Sequence, residues 1–415
     1  MTALRERLSR AVLLGTAAAL LVPSPALANP RTEVRVSGAL GVENNPFLTV
    51  EDSGEGVAAT AEIQVEPSLY LEDERTTLRF YGNLRLRQFF QNYGTDASVL
   101  LGTSGSTRVD ERTTLTGGAT FQSSRSAIQD AFLLGGTGGL IGLEPGTVPT
   151  FDLIDPTVPG SRQRFTRYGA EAGVQRRLTP RDVASVGLAF NESRTSGDFG
   201  FDYRVADLVL GYGRALNERT TLQGNLALSR SDLLNSATGD AFSVTPLIGI
   251  QQQISERLNW SAQAGLAYSR VNAGPGLTID STTFAFSVSG CRRSANANLC
   301  IAAQQQPRPT TFGGFTNTTG VNVGYDVTLN RRDSLGFTGS YQRSEQLAPM
   351  AFGELPISAK DELLGFGAEF RRAFTNRLVG FANASYTRIW SELFPDRDAN
   401  VRALVGVTYI FGRQR

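Results

Sequence analysis

A short polar turn motif returns along the chain and divides it into segments of similar length. Segments 73–77 (DERTT), 110–114 (DERTT) and 217–221 (NERTT) are near-identical copies, and looser copies start at 179, 255, 330 and 375. Most copies are separated by one or two units of about 37 residues. A unit of that length holds two strands, one tight turn and one longer loop, the hairpin module of a transmembrane β-barrel. A soluble β-solenoid has shorter repeats, and propeller blades need four strands.

The residues beside these turns alternate with a period of two. After the first turn, Leu78, Phe80 and Leu84 share one face, while Arg79 and Arg85 share the other. This alternation predicts strands with one apolar and one polar side. The strands exceed the usual five or six residues and their polar faces carry bulky charged groups, which favours a membrane barrel over a soluble sandwich.

We therefore predict an all-β fold, a transmembrane antiparallel up-and-down β-barrel of about 16 strands with short periplasmic turns and long external loops. An extra hairpin around residues 282–289 would raise the number to 18. The last strand, 399–411, places Val401, Val405, Tyr409 and Phe411 on one face. This face resembles the C-terminal signature that the outer-membrane assembly machinery reads, so that machinery and outer-membrane lipid are the expected partners.

The first 28 residues combine a basic head, an apolar run and the small-residue site Ala26-Leu27-Ala28. This order predicts a secretory signal peptide over 1–28 and a single barrel domain over 29–415. The alternative, an N-terminal membrane anchor, needs an apolar run of roughly 20 residues, which this run does not reach. A bacterial outer-membrane location follows from export combined with a barrel.

Composition excludes several functional classes. The formal net charge is +1, so no basic patch indicates nucleic-acid binding. The chain has no histidine, which removes Ser-His catalysis and His-ligated zinc. We found no G-x-S-x-G elbow and no P-loop lysine. We expect no enzyme activity, no cofactor and no metal. The chain is also too short for a TonB-dependent transporter with its plug domain.

Two cysteines, Cys291 and Cys300, lie in one short segment of a chain predicted to leave the cytoplasm. A local disulfide that holds one loop is the favoured interpretation. The alternative, a metal site, would need more ligands than two cysteines.

Strand parity also predicts which side chains face the lumen, because charges are costly against lipid. The expected lumen-lining residues are Arg79, Arg85, Arg87, Arg167, Glu171, Asp326, Glu369 and Arg371. The simpler alternative is that these charges pair with one another.

The acidic third external loop, 125–163, could fold inward against the arginine row or stay at the surface. Tyr81, Tyr203 and Phe381 could face the lumen, whereas Phe89, Phe90, Trp390 and Tyr409 are expected at the membrane interfaces.

Segment 41–49 (GVENNPFLT) resembles part of the first strand in the beta-barrel porin 2 family. The resemblance extends to the signal peptide, the arginine-containing turns and the terminal aromatic strand. It implies a possible role in surface exopolysaccharide export, with polysaccharide export components as partners. The architecture itself predicts a passive pore for small solutes. A structural accessory barrel without free diffusion is the other alternative, and the sequence leaves the oligomeric state open.

Overall fold

Antiparallel strands make up nearly all of the structure, a computed structural model of the chain. It describes residues 30–48, 56–91, 93–125, 163–196, 202–234, 239–274, 276–309, 315–346, 350–352, 355–357, 360–392 and 398–412. The predicted signal peptide and nearly all of the third loop lie outside the described residues. Among the residues that the structure describes, no helix is long and apolar enough to cross a membrane.

Eighteen of the strands form one closed ring, in which each strand pairs with its neighbours and the last pairs with the first. In chain order the strands are β1 (Arg31–Glu43), β2 (Ala58–Glu72), β3 (Thr76–Phe89), β4 (Thr95–Arg108), β5 (Thr113–Ser124), β6 (Phe165–Arg177), β7 (Asp182–Thr195), β8 (Tyr203–Asn217), β9 (Thr220–Leu233), β10 (Ala241–Ser255), β11 (Leu258–Gly274), β12 (Leu277–Arg293), β13 (Ala297–Pro309), β14 (Phe315–Thr328), β15 (Asp333–Gln346), β16 (Met350–Phe352), β17 (Leu355–Ile357), β18 (Lys360–Ala373), β19 (Leu378–Ser391) and β20 (Asn400–Gly412). β16 and β17 form a separate small hairpin.

The predicted all-β, up-and-down barrel is confirmed, with the larger of the two strand numbers. The two strands beyond the predicted 16 are β12, which contains residues 282–289, and β13. β13 was missed because its sequence, ANLCIAAQQQPRP, has little contrast between its two faces. Cys300 on β13 and Cys291 on β12 were assigned to a loop.

The repeated motif is a side-chain-capped turn. Asp73 Oδ1 accepts hydrogen bonds from the backbone N–H groups of Arg75 at 2.7 Å and Thr76 at 2.6 Å. Asn217 makes the equivalent bond to Arg219 at 2.9 Å. In the turn led by Asp110, the Arg112 N–H donates to the carboxyl group and lowers its pKa. Asp, Asn and Thr suit this position because their short side chains can bond to the backbone two residues ahead.

The capped turns all lie at one end of the barrel, the short-turn rim, and the longer connections lie at the other end, the long-loop rim. Between the rims the outward face is apolar and exposed, as at Leu40, Ile248 and Val405. Such a large exposed apolar surface is abnormal in a water-soluble protein, but it suits contact with lipid.

Outward-facing ion pairs border this apolar band on both sides. Arg194–Glu192 at 2.6 Å, Arg230–Asp232 at 2.8 Å and Arg270–Asp280 at 2.7 Å lie near the long-loop rim. Arg214–Asp182 at 4.0 Å and Arg372–Asp333 at 3.7 Å lie near the short-turn rim. Charges at both ends and apolar residues between them are the outer surface expected of a barrel that crosses a bilayer.

The disulfide between Cys291 and Cys300 is present. It does not hold a loop, however, because the two residues are directly opposite each other on β12 and β13, with their Cα atoms 4.1 Å apart. The bond therefore staples a hairpin beside its short turn.

Closure of the ring can be tested by a cross-link between β1 and β20. Ser37 and Thr408 are directly opposite each other, and their hydroxyl oxygens lie 2.8 Å apart. In a background with both native cysteines changed to serine, we expect Ser37→Cys/Thr408→Cys to form a disulfide, seen as a mobility shift in non-reducing gels. The control, Ser37→Cys/Val407→Cys, places the thiols on opposite faces and should stay reduced. Cross-linking of the control alone would contradict the register.

Candidate functional site in the barrel lumen

All eight residues predicted to line the lumen lie on the inward face. On β3 the outward face carries Leu84 and Leu86, so Arg79, Arg85 and Arg87 point inward. The same parity applies on the other three strands, where Tyr168, Tyr325 and Phe366 mark the outward face. It places Arg167 and Glu171 on β6, Asp326 on β14, and Glu369 and Arg371 on β18 inside the barrel. The structure does not bring the eight together into one site.

Two of the arginines belong to a buried cluster of charges on the wall formed by β20, β1, β2, β3 and β4. Arg87 contacts Glu43 at 3.2 Å and Glu62 at 3.3 Å. Arg402 contacts the same two carboxylates, at 3.8 Å and 2.5 Å. The side chains of Arg87, Glu43 and Arg402 are at most 2% exposed. Arg85 and Asp96, which are also buried, complete the cluster.

Among the residues that the structure describes, the cluster is close to electrically neutral. Its three arginines, Arg85, Arg87 and Arg402, are matched by the three acids Glu43, Glu62 and Asp96. Arg85 and Arg87 of the predicted arginine row therefore do not form a free positive surface. For this part of the row the alternative applies, in which the charges of the barrel interior pair with one another. Glu43, Glu62 and Arg402 were not predicted from the sequence, although all three have the inward parity of predicted strands.

The chain after β1 covers this cluster by turning into the lumen. We call residues 44–48 the inward segment. Asn400 Nδ2 donates to Glu43 at 3.1 Å, and Asn45 Nδ2 donates to the backbone oxygen of Asp398 at 2.9 Å. The Asn44 N–H donates to the Val401 carbonyl at 3.1 Å. The segment is therefore tied to β20 and to the residues before it.

Apolar side chains hold the inward segment at both of its sides. The Phe47 ring packs against Phe89 and Tyr93, with centroids 6.2 and 6.0 Å away. Leu48 packs with Leu363 and Ile389 on the inward faces of β18 and β19. Because Phe89 lies on β3, the segment extends over the inner wall from β18 round to β3.

Backbone conformation also marks the inward segment. Asn45 and Leu48 have positive φ angles of 40° and 54°. Such angles are unusual for a residue as bulky as leucine and cost of order 1–3 kcal/mol each, so the surrounding contacts must maintain them. We conclude that the segment is a built part of the lumen wall.

The positions of the aromatic side chains agree only in part with the prediction. Tyr81, Tyr203 and Phe381 have inward parity. Phe90, Trp390 and Tyr409 are exposed on the outside of the barrel or at its rim. Phe89 was expected at a membrane interface, but it is 2% exposed and packs inside the barrel. The inward segment, which the alternation pattern does not reveal, provides its partners.

The opposite wall of the lumen is uncharged. The inward side chains on β9 to β12, at the odd-numbered positions of 223–233, 241–251, 259–271 and 279–289, are amides, hydroxyls and aliphatic groups. Gln223 donates to Gln251 at 2.7 Å, Gln263 donates to Gln223 at 2.9 Å, and Asn225 donates to Gln263 at 2.9 Å. Amide groups present donors and acceptors together, so this wall can bond to either kind of solute group.

The remaining predicted residues lie elsewhere around the lumen. Glu369 and Arg371 form an ion pair on β18. Asp326 interacts electrostatically with both of them, and Arg167 interacts with Asp207 on β8. Among the described residues, no group of three or more metal-ligating side chains is assembled.

No protein-family model matches the chain, and no curated protein matches it. Solved structures with a similar fold include a BenF-like porin from Pseudomonas fluorescens Pf-5, at 10% identity and a TM-score of 0.46, covering 93% of this chain and 100% of that one. OccK2 (OpdF) of Pseudomonas aeruginosa has 10% identity, coverages of 94% and 99%, and a TM-score of 0.46. OccAB3 of Acinetobacter baumannii has 12% identity, coverages of 93% and 100%, and a TM-score of 0.44. At this level of similarity, the solutes of those proteins have no bearing on this chain.

The buried cluster predicts a large stability effect at Arg87. Arg87→Leu leaves Glu43 and Glu62 with Arg402 as their remaining arginine contact, so we expect the free energy of unfolding to fall by about 3–5 kcal/mol. Urea titration of the folded barrel in detergent, followed by tryptophan fluorescence, measures it. The matched control is Arg230→Leu, which removes an exposed outward ion pair and should change the free energy by about 0–1 kcal/mol. Equal effects would contradict the structural role of the cluster.

Proposed function

We propose that this protein is a passive, porin-like pore of the bacterial outer membrane. The observation that carries the proposal is the closed ring of 18 strands with an apolar outward face and a polar inward face. Side chains fill barrels of about eight strands, whereas barrels of 16 to 18 strands enclose a water-filled channel. We propose no catalytic activity, because the chain has no histidine to serve as a general base.

The short-turn rim faces the periplasm and the long-loop rim faces the exterior in the proposed orientation, which is the usual arrangement of such barrels. Outer-membrane lipid contacts the apolar band. The strand β20, with Tyr409 and Phe411 exposed on its outward face, would present the signal to the assembly machinery.

Passing solutes would meet two different walls. The wall from β18 to β3 is covered in its external half by the inward segment, which narrows the lumen on that side. The wall from β9 to β12 is neutral and offers hydrogen bonds. Small polar solutes suit such a lumen, because they can replace bonds to water by bonds to amides and hydroxyls without meeting a large excess of one charge.

A role in surface exopolysaccharide export is the more specific proposal. It is supported by the resemblance of segment 41–49 to the beta-barrel porin 2 family, and most of that segment is the inward segment. The neutral amide and hydroxyl wall also suits a polyhydroxylated chain. Polysaccharide export components would then be partners. An accessory barrel without free diffusion would have the same fold but would not conduct.

Single-channel recording of the purified protein in planar bilayers tests the function. We expect stable conductance steps in KCl, and swelling of liposomes that contain the protein in solutions of small neutral solutes. Folding is checked separately, by the mobility shift that a folded barrel shows before boiling. A folded protein that neither conducts nor admits solutes would overturn the pore and leave the accessory role.

The inward segment gives a second expectation for the same recordings. Phe47→Ser/Leu48→Ser removes the packing against Phe89, Leu363 and Ile389, so the segment should leave the wall and the conductance should rise. The control, Phe90→Ser, changes an exposed residue at the same rim and should conduct like the wild type. Unchanged conductance in the double variant would show that the segment does not limit the passage of ions.

A further inference from the structure

Arg79 differs from the other arginines of the predicted row in its surroundings. It lies directly opposite Tyr70 on β2 and shares the inward face of β3 with Tyr81. Its guanidinium carbon is 5.2 Å from the centroid of each of the two tyrosine rings. Both contacts are cation–π interactions, which hold the guanidinium while its N–H groups can still donate.

No carboxylate lies within ion-pair distance of Arg79 among the described residues. By contrast, Arg87 and Arg402 contact Glu43 and Glu62, and Arg371 contacts Glu369. Arg79 is also exposed, whereas Arg87 is buried. Its charge is therefore available to a solute, and the charges of the buried cluster are not.

The wall is shaped to receive one of the two rings. A Cβ atom added at Gly102, directly opposite Tyr81 on β4, would lie 2.3 Å from the ring carbon Cζ of Tyr81. The ring therefore lies across Gly102, and any larger residue there would displace it. The absence of a side chain at this position allows Tyr81 to reach the place from which it contacts Arg79.

We propose that Arg79, held by Tyr70 and Tyr81, is a binding site for the carboxylate group of small organic anions, located in the short-turn half of the lumen. A guanidinium forms two parallel hydrogen bonds to a carboxylate, which a lysine ammonium cannot copy. The inference rests on the proposed pore for its role in transport. Binding at Arg79, however, can be measured without any current.

The first test is block of the current in KCl by succinate in planar bilayers. We expect saturable block of the wild type, and a half-blocking concentration at least about tenfold higher in Arg79→Gln, since hydrogen bonds to a charged group are lost. Arg79→Lys keeps the charge but loses the paired hydrogen bonds, so it should lie between the two. Gly102→Ala keeps Arg79 and displaces Tyr81, and it should weaken block as well.

Controls and a second readout separate the possible outcomes. Arg230→Gln removes an outward-facing charge and should leave the block unchanged. Saturation-transfer NMR with succinate and the detergent-solubilised barrel reports binding even if the protein does not conduct. Binding without current would overturn the pore and keep the site. Current with the same succinate affinity in wild type and Arg79→Gln would overturn the site and keep the pore.

Discussion

Closure of the hydrogen-bonded ring is the constraint on which the rest of the structure depends. Backbone N–H and C=O groups find no partners in hydrocarbon, so a sheet that crosses a bilayer cannot leave an edge open. Here β1 and β20 remove that edge by pairing from Glu33–Gly412 to Glu43–Arg402. Once the ring is closed, the alternation of side chains assigns every strand residue to lipid or to the lumen.

The same closure completes the charge cluster. Glu43, Glu62 and Arg87 lie on the consecutive strands β1, β2 and β3, and Arg402 on β20 joins them because the end of the chain returns to its beginning. A charge without a partner at these buried positions would be strongly unfavourable. The cluster and the inward segment that covers it therefore depend on each other. The segment shields the charges from water, and the charges can be buried beneath it because they are paired.

Local patterns in the sequence are sufficient to predict most strands and turns of the barrel. The turn motif works through bonds between residues two positions apart, as from Asp73 to Arg75, and strand parity needs no knowledge of the partner strand. Parity also placed Arg79 and Glu369 on the inward face. β13 was missed because small and polar residues occupy both of its faces.

Partners that are distant in sequence were beyond prediction. Leu48 packs against Leu363 and Ile389, and nothing near residue 48 in the sequence indicates this contact. For the same reason the sequence could not show that Arg87 is neutralised by acids on β1 and β2, while Arg79 on the same strand stays exposed between two tyrosines.

The inward face lines a water-filled path, and thiol labelling during current recording tests this most directly. Gln251 points into the lumen from β10, and Ile248 on the same strand points to lipid and is 70% exposed. With a charged, water-soluble methanethiosulfonate reagent, we predict a stepwise loss of current in Gln251→Cys and none in Ile248→Cys. A current that responds at residue 248 and not at 251 would contradict the assignment of faces.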